Sequence, residues 1–432
     1  MLASVWSCQY QKEIDDSPWL KYALETEKYL STALLDQEEG IAWKVMPDSA
    51  SGPDISLYSG TPGVILFYLQ LFESTGVPDF LEKATAGADF LLVSLPDTAV
   101  SSEQVGLYTG LAGIGYTLAE VYRKTGDERY KTGLVRVIDL LDLSAEKTAS
   151  GIHWGQTTDI VYGAAGIGLF LHDIADGFDL PKVDSLSLQI GTQLLKQATH
   201  EPDGLRWKMS PYMDIHMDNF SHGTAGVAYF LLDLHIRTED LRFLEAAQSA
   251  GNWLLSHSNG QGQVSHHLPG GEELYYQSWC HGPAGTSRLY YLLWDVTGDQ
   301  KWMDAVELSA QGTMALGIDS KQTTGFWNNV GKCCGDVGVA EHYLWLYEVT
   351  RNQDYLSFAK KMTYKAIGAG TQSGQGLKWI HAENRRSPEQ VAAQTGLMQG
   401  SAGVGLWFLQ MDAFEKLGMF NFLPDKKPLK TP

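Results

Sequence analysis

A Gly-x-x-Gly element recurs seven times along the chain, each time at the head of an apolar run: Gly60–Gly63, Gly110–Gly113, Gly163–Gly166, Gly223–Gly226, Gly282–Gly285, Gly335–Gly338 and Gly400–Gly403. Successive copies are 50, 53, 60, 59, 53 and 65 residues apart, the period of a supersecondary unit repeated many times. Such a unit buries its apolar face only against its neighbours, so the copies must stack into one body. Length alone, at roughly 150 residues per domain, suggests about three domains. The repetition overrides that count in favour of one closed domain.

The runs after the glycines, such as Val64–Phe72 and Val227–Leu234, are apolar on nearly all sides. They read as buried helices rather than strands, because they extend past about ten residues and lead into turns such as Thr125-Gly126-Asp127 and Thr297-Gly298-Asp299. After those turns come amphipathic stretches such as Arg242–Leu255, the pattern of outer helices. Seven such pairs predict an all-α fold, an α/α toroid in which seven inner helices form a barrel inside seven outer ones. The toroid is expected over residues 19–423, with an N-terminal extension over 1–18 and a flexible tail over 424–432. The paired glycines read as close-packing positions, since an isolated Gly-x-x-Gly is weak support for a phosphate site. A second element, Gly-x-x-Trp, ends at Trp43, Trp154, Trp207 and Trp379, and packing is its expected role.

Hydrophobic residues make up 44% of the chain and charged ones 19%, enough apolar material for a large core. The formal charge of −19 repels phosphate backbones, which excludes nucleic acid as an expected partner. No stretch reaches the ~18 apolar residues of a spanning segment and no secretory signal opens the chain, so a cytoplasmic protein without a transmembrane segment is expected. The four cysteines are Cys8, Cys280, Cys333 and Cys334. An adjacent pair is a poor disulfide framework, so the clustering asks for another explanation.

Aligning the repeats on their first glycine supplies one. The two preceding positions are Tyr58-Ser59, Tyr108-Thr109 and Val161-Tyr162 in repeats one to three, and Met398-Gln399 in repeat seven. Repeats four, five and six instead carry Ser221-His222, Cys280-His281 and Cys333-Cys334. The soft ligands therefore occupy equivalent places in three consecutive repeats. Thiolates select zinc, and three protein ligands leave a fourth tetrahedral position open, as catalytic zinc requires. Unmetallated buried cysteines are the plain alternative. A structural site completed by His222 or His281 is another, although His281, adjacent to Cys280, fits better as a cavity residue. His222 suits acid/base work, and Asp159, four residues before Gly163, is placed to orient it.

These motifs, Ser221-His222-Gly223, Trp279-Cys280-His281-Gly282 and Cys333-Cys334-Gly335 with the sevenfold glycine pattern, resemble the lanthionine synthetase C-like family across almost the whole chain. The resemblance implies zinc on Cys280, Cys333 and Cys334, with His222 and Asp159 as active-site residues, and His281 is read as a further catalytic candidate lining the cavity. It implies addition of a peptide cysteine thiol to dehydroalanine or dehydrobutyrine, which closes a thioether ring. The expected partner is a dehydrated precursor peptide, prepared by a separate dehydratase because no segment here reads as a dehydratase or kinase. Many members carry Cys-His-Gly where this chain has Cys333-Cys334-Gly335, so a third thiolate replaces a neutral imidazole and makes the centre more electron-rich. Many peptide cyclases have tyrosine at His281, and some have an arginine shortly before the first cysteine, whereas Gly271–Ser278 contain no basic residue. Addition of glutathione or another small thiol to dehydroamino acids in proteins is a rival within the same chemistry. A non-catalytic zinc-bearing peptide-binding protein is a third reading. A glycoside-processing toroid would need paired carboxylates, for which Asp54, Asp159, Asp214, Asp218 and Asp336 are available, but it leaves the cysteines unexplained.

Overall fold

Every first glycine of the repeated pair caps an inner helix. The structure is a computed structural model that describes residues 17–418 apart from 49, 51 and 375; Cys8, most of the expected extension and the tail over 424–432 lie outside the described residues. Among the described residues there are fourteen α-helices. The inner seven are α2 (Thr61–Thr75), α4 (Leu111–Thr125), α6 (Ala164–Ala175), α8 (Thr224–Thr238), α10 (Pro283–Thr297), α12 (Asp336–Thr350) and α14 (Ser401–Leu417). The outer seven are α1 (Pro18–Ser31), α3 (Pro78–Val93), α5 (Glu128–Ser144), α7 (Lys182–Gln197), α9 (Leu241–Ser256), α11 (Gln300–Ala315) and α13 (Gln353–Gly368). The expected double ring is thus observed.

The glycines are required by close approach. A Cβ on Gly226 would lie 2.0 Å from the carbonyl oxygen of Phe220, because the turn carrying the preceding two residues folds back over the first turn of α8. Gly226→Ala is therefore expected to destabilise the protein by about 2–4 kcal/mol, read as a lowered urea midpoint at unchanged slope. A wild-type midpoint would show that the turn relaxes freely.

The polar turns between inner and outer helices also have a local cause. Gly126 and Gly298 end α4 and α10 in the left-handed conformation, and Asp127 and Asp299 then cap α5 and α11 by accepting from Arg129 N–H and Lys301 N–H. Thr-Gly-Asp is thus a C-cap followed directly by an N-cap.

Closure is written in the backbone. Tyr58 N–H donates to Tyr108 O (2.8 Å), Tyr108 N–H to Val161 O (3.1 Å), and Ile160 N–H to Ser221 O (3.2 Å). The ladder continues from Ser221 to Cys280, Cys280 to Cys333, Cys333 to Met398, and Met398 back to Tyr58 (2.9 Å). The seven pre-glycine turns therefore form a hydrogen-bonded ring around one mouth of the inner barrel. The seventh pair joins the two ends of the described chain: α1 packs on α14, with Ser17 Oγ donating to Asp412 and Trp19 Nε1 donating to Glu415 (2.6 Å).

Five two-stranded antiparallel hairpins, not anticipated from the helical pattern, connect outer helices to the rim. Four contain the Gly-x-x-Trp element, whose glycines Gly40, Gly151, Gly204 and Gly376 take positive φ that other residues avoid. The tryptophans pack as expected. The indoles of Trp154, Trp207 and Trp379 donate to Leu141 O, Leu194 O and Ala366 O near the ends of the preceding outer helices. No described helix is long and apolar enough to cross a membrane.

Candidate metal centre and active-site cavity

The rim ladder brings the cysteines together. Cys280 precedes α10 and Cys333-Cys334 precedes α12, and the hydrogen bond from Cys280 N–H to Cys333 O (3.1 Å) places the two turns side by side. The Cys280 and Cys334 sulfurs are 3.3 Å apart, those of Cys334 and Cys333 are 3.5 Å apart, and all three lie within 4.8 Å of one another. None is in a disulfide. Lys332, the residue before Cys333, is anchored inward by a buried ion pair with Glu341 of α12 (3.1 Å).

Three thiols this close share protons. Hydrogen bonds from the Cys280 and Cys334 thiols, aided by the Tyr58 hydroxyl, hold Cys333 well below the usual thiol range. Burial and the neighbouring sulfurs push Cys280 well above it. Protons alone therefore stabilise one thiolate here, and three need a compensating cation. The donor set fits zinc: with Zn–S bonds of about 2.3 Å, tetrahedral sulfurs stand about 3.8 Å apart, within about half an ångström of the two spacings to Cys334.

A cavity of about 560 Å³ opens over the sulfurs, and His222, His281 and Arg385 also line it. His222 Nδ1 lies 2.7 Å from Oδ2 of Asp159, which is fully buried and whose Oδ1 accepts from Tyr162 N–H. Nδ1 donating to the carboxylate leaves Nε2 as the nitrogen free for proton transfer. His281 is buried and stacks on His266 with ring centroids 4.0 Å apart. Burial lowers His281 well below the ordinary histidine range and His266 to about 3, so both are neutral at physiological pH. Burial raises Tyr276 to about 12, which keeps its hydroxyl protonated.

Burial also lowers His381, on the cavity wall, to about 4. The unfolded chain titrates near 6.5 and binds protons that the folded chain refuses between about pH 6.5 and 4, so stability is full above this window and falls with pH through it. Asp336, raised to about 6 by burial, opposes this trend between about pH 6 and 4. His381→Gln should remove on the order of 2 kcal/mol of the acid-induced loss, measured by urea unfolding of metal-free protein at about pH 7 and 4. An unchanged difference between the two pH values would refute the assignment.

All six residues singled out in the sequence, Asp159, His222, Cys280, His281, Cys333 and Cys334, meet at this mouth. Sequence reasoning missed the residues supplied by loops: His266, Tyr276, His381, Glu383 and Arg385 line the same cavity from segments outside the aligned columns. Arg385 matters most, because its Nε lies 3.4 Å from the Tyr276 hydroxyl and it is the one cationic Lys or Arg among the described residues on this wall. Gly271–Ser278 hold no basic residue, and the cationic side chain of this wall comes from repeat seven. Of the carboxylates available to a glycosidase, Asp218 pairs with Arg206 (2.6 Å), Asp336 with Lys365 (2.9 Å), and Asp159 with His222.

Comparison with known proteins agrees with this architecture. The chain is 22% identical over 319 residues to the Danio rerio protein named glutathione S-transferase LANCL1, covering 71% of this chain and 73% of the relative. Among solved structures, nisin cyclase superposes with a TM-score of 0.62 at 18% identity, covering 86% of this chain and 90% of that one. An α-1,6-mannanase of Salegentibacter sp. HEL1_6 superposes with a TM-score of 0.51 at 13% identity, covering 91% of this chain and 99% of that one. At these identities the structures share the toroid alone. The profile of the lanthionine synthetase C-like proteins matches residues 53–423, nearly the whole toroid with its cysteine centre, and the chain belongs to that family.

Proposed function

We propose that this protein is a zinc-dependent thioether-forming enzyme, which adds a cysteine thiol of a dehydrated precursor peptide to dehydroalanine or dehydrobutyrine in the same peptide. The observation that carries this reading is the convergence of three cysteine sulfurs within 4.8 Å on a cavity that also holds the His222–Asp159 pair. Zinc held by Cys280, Cys333 and Cys334 would lower the pKa of a substrate thiol and keep a nucleophile available at neutral pH. The remaining work falls to the chain's own side chains. Attack at the β-carbon moves charge onto the acceptor's carbonyl oxygen, and Arg385 with the protonated Tyr276 hydroxyl offers a cation and a donor for it. His222, oriented by Asp159, delivers the proton to the α-carbon. Neutral His281 and His266 wall the cavity without competing for that charge.

A second reading keeps the chemistry and changes the thiol. The Danio rerio relative is named a glutathione S-transferase, and Arg385 would equally attract a carboxylate-bearing thiol such as glutathione. Zinc-loaded protein incubated with a peptide carrying both dehydroalanine and cysteine, with and without glutathione, separates the two. Thiol loss at unchanged mass supports the cyclase, a mass gain of one glutathione supports the alternative, and no thiol loss under either condition rejects both.

A further inference from the structure

The residue immediately before the first glycine sorts the mouth of the barrel into two halves. Repeats five to seven place His281, Cys334 and Gln399 on the cavity of about 560 Å³, and repeats one to three place Ser59, Thr109 and Tyr162 on a second cavity of about 410 Å³. His222, from repeat four, lines both, as do Tyr58, Cys333 and Glu383. The two cavities are lobes of one depression that meet across Cys333 and His222. Their chemistry differs: the first holds all three sulfurs, the imidazoles and Arg385, whereas among the described residues lining the second there is no Lys or Arg.

We propose that the second lobe is the acceptor subsite, which holds the backbone around the dehydroamino acid, while the thiol donor enters through the first lobe. The proposal rests on the thioether-forming reading above. A thiol approaching the three-sulfur centre occupies the first lobe, because only Cys333 of the three also reaches the second. The acceptor must then approach from the other side of His222. Before attack, an alkene between two amides carries no charge and asks for hydrogen-bonding groups; negative charge develops on its carbonyl oxygen only as the C–S bond forms, on the side facing the first lobe and Arg385. The second lobe offers hydroxyls, among them Ser56, Ser59, Thr109, Tyr162 and Ser221. The hydroxyl oxygens of Thr109 and Ser221 are buried and find no hydrogen-bond partner within the protein, a state that a bound polar ligand relieves. Asp54 and Glu383 add carboxylates that accept amide N–H groups and repel an anionic acceptor. Tyr162 stacks on His222 at a centroid separation of 5.9 Å and 22°, so the proton donor forms one wall of this lobe. With both partners placed, the C–S bond forms at the β-carbon, the thiol proton leaves to solvent, and His222 supplies a proton to the α-carbon. Nothing is oxidised or reduced.

The test uses the full, zinc-loaded chain with glutathione and an N-acetylated dehydroalanine methylamide as separate probes. Calorimetry measures the affinity for glutathione and for the unreactive analogue with alanine in place of dehydroalanine. Thr109→Trp, which fills the second lobe, should raise the acceptor KM and the analogue Kd by about tenfold or more while leaving the glutathione Kd within about twofold. Arg385→Ala should weaken glutathione several-fold and lower kcat, since it removes the cation that faces the developing charge, while the Kd of the uncharged analogue changes little. If Thr109→Trp fails to fold, Thr109→Val keeps the side-chain volume and should still raise the analogue Kd by about threefold through loss of the hydroxyl. An unchanged acceptor KM and analogue Kd in a folded Thr109 variant, or a rise confined to the glutathione Kd, overturns the assignment. Absence of any thioether product in the wild-type protein, from glutathione and equally from a peptide carrying both dehydroalanine and cysteine, instead sinks the thioether-forming reading on which it rests.

Discussion

Replacing Cys280 with alanine should reduce bound zinc from one per chain to below about 0.1 and slow thioether formation by at least about 1000-fold. The expectation follows from the donor count. Two remaining cysteines on one turn, Cys333 and Cys334, would offer an ion two donors in place of the three sulfurs that converge from two turns. Metal analysis after gel filtration, with circular dichroism to show that the toroid persists, reads the first half; product mass reads the second. Cys334→His is the informative companion, since it exchanges one thiolate for a neutral imidazole. It should retain zinc while forming product more slowly, because one less negative charge on the centre leaves the substrate sulfur less electron-rich. Full zinc occupancy in Cys280→Ala would remove the metal centre from these residues altogether.

His222→Asn should lower kcat by about 100- to 10,000-fold with zinc content unchanged, the range expected when a positioned general acid is lost. Asp159→Asn should cost less, about 10- to 100-fold, because the imidazole remains but loses the buried carboxylate that fixes its tautomer and orientation. The two substitutions act on one proton-transfer unit, so the double variant should fall no further than His222→Asn alone. Deuterium incorporation at the α-carbon in heavy water follows the step directly. Additive losses would show that Asp159 acts elsewhere.

Fourteen helices, their order and their closure into a ring were legible in the sequence because each repeat restates the same three instructions. A glycine pair admits the folded-back turn, an apolar run needs burial on all sides, and a short polar turn, Gly-Asp in two repeats, separates the inner helix from the next outer one. Repetition averages out local ambiguity, so seven weak signals in register give one firm conclusion. The same register carried the site: Cys280, Cys333 and Cys334 could be placed on neighbouring turns because equivalent positions in a closed ring face one centre, and the observed ladder from Ser221 through Cys280 and Cys333 to Met398 has that form. The hairpins were not legible, since two- to four-residue strands leave too little alternation to detect.

What tertiary structure alone decided is the remainder of the cavity. Arg385, Tyr276, His266 and His381 lie on connecting segments with no shared period, and only the path of those segments over the mouth brings them to the sulfurs. Their protonation is equally a tertiary property: His266 and His381 are neutral because the fold removes water from them, which the residue type does not encode. The sequence by itself determined a sevenfold ring with three cysteines on adjacent turns, because periodicity is a local signal repeated along the chain. Only the three-dimensional arrangement decided that the mouth has two lobes meeting at His222, one with the three sulfurs and Arg385 and one without Lys or Arg among its described lining residues, because cavities form between loops whose positions depend on every element they pack against.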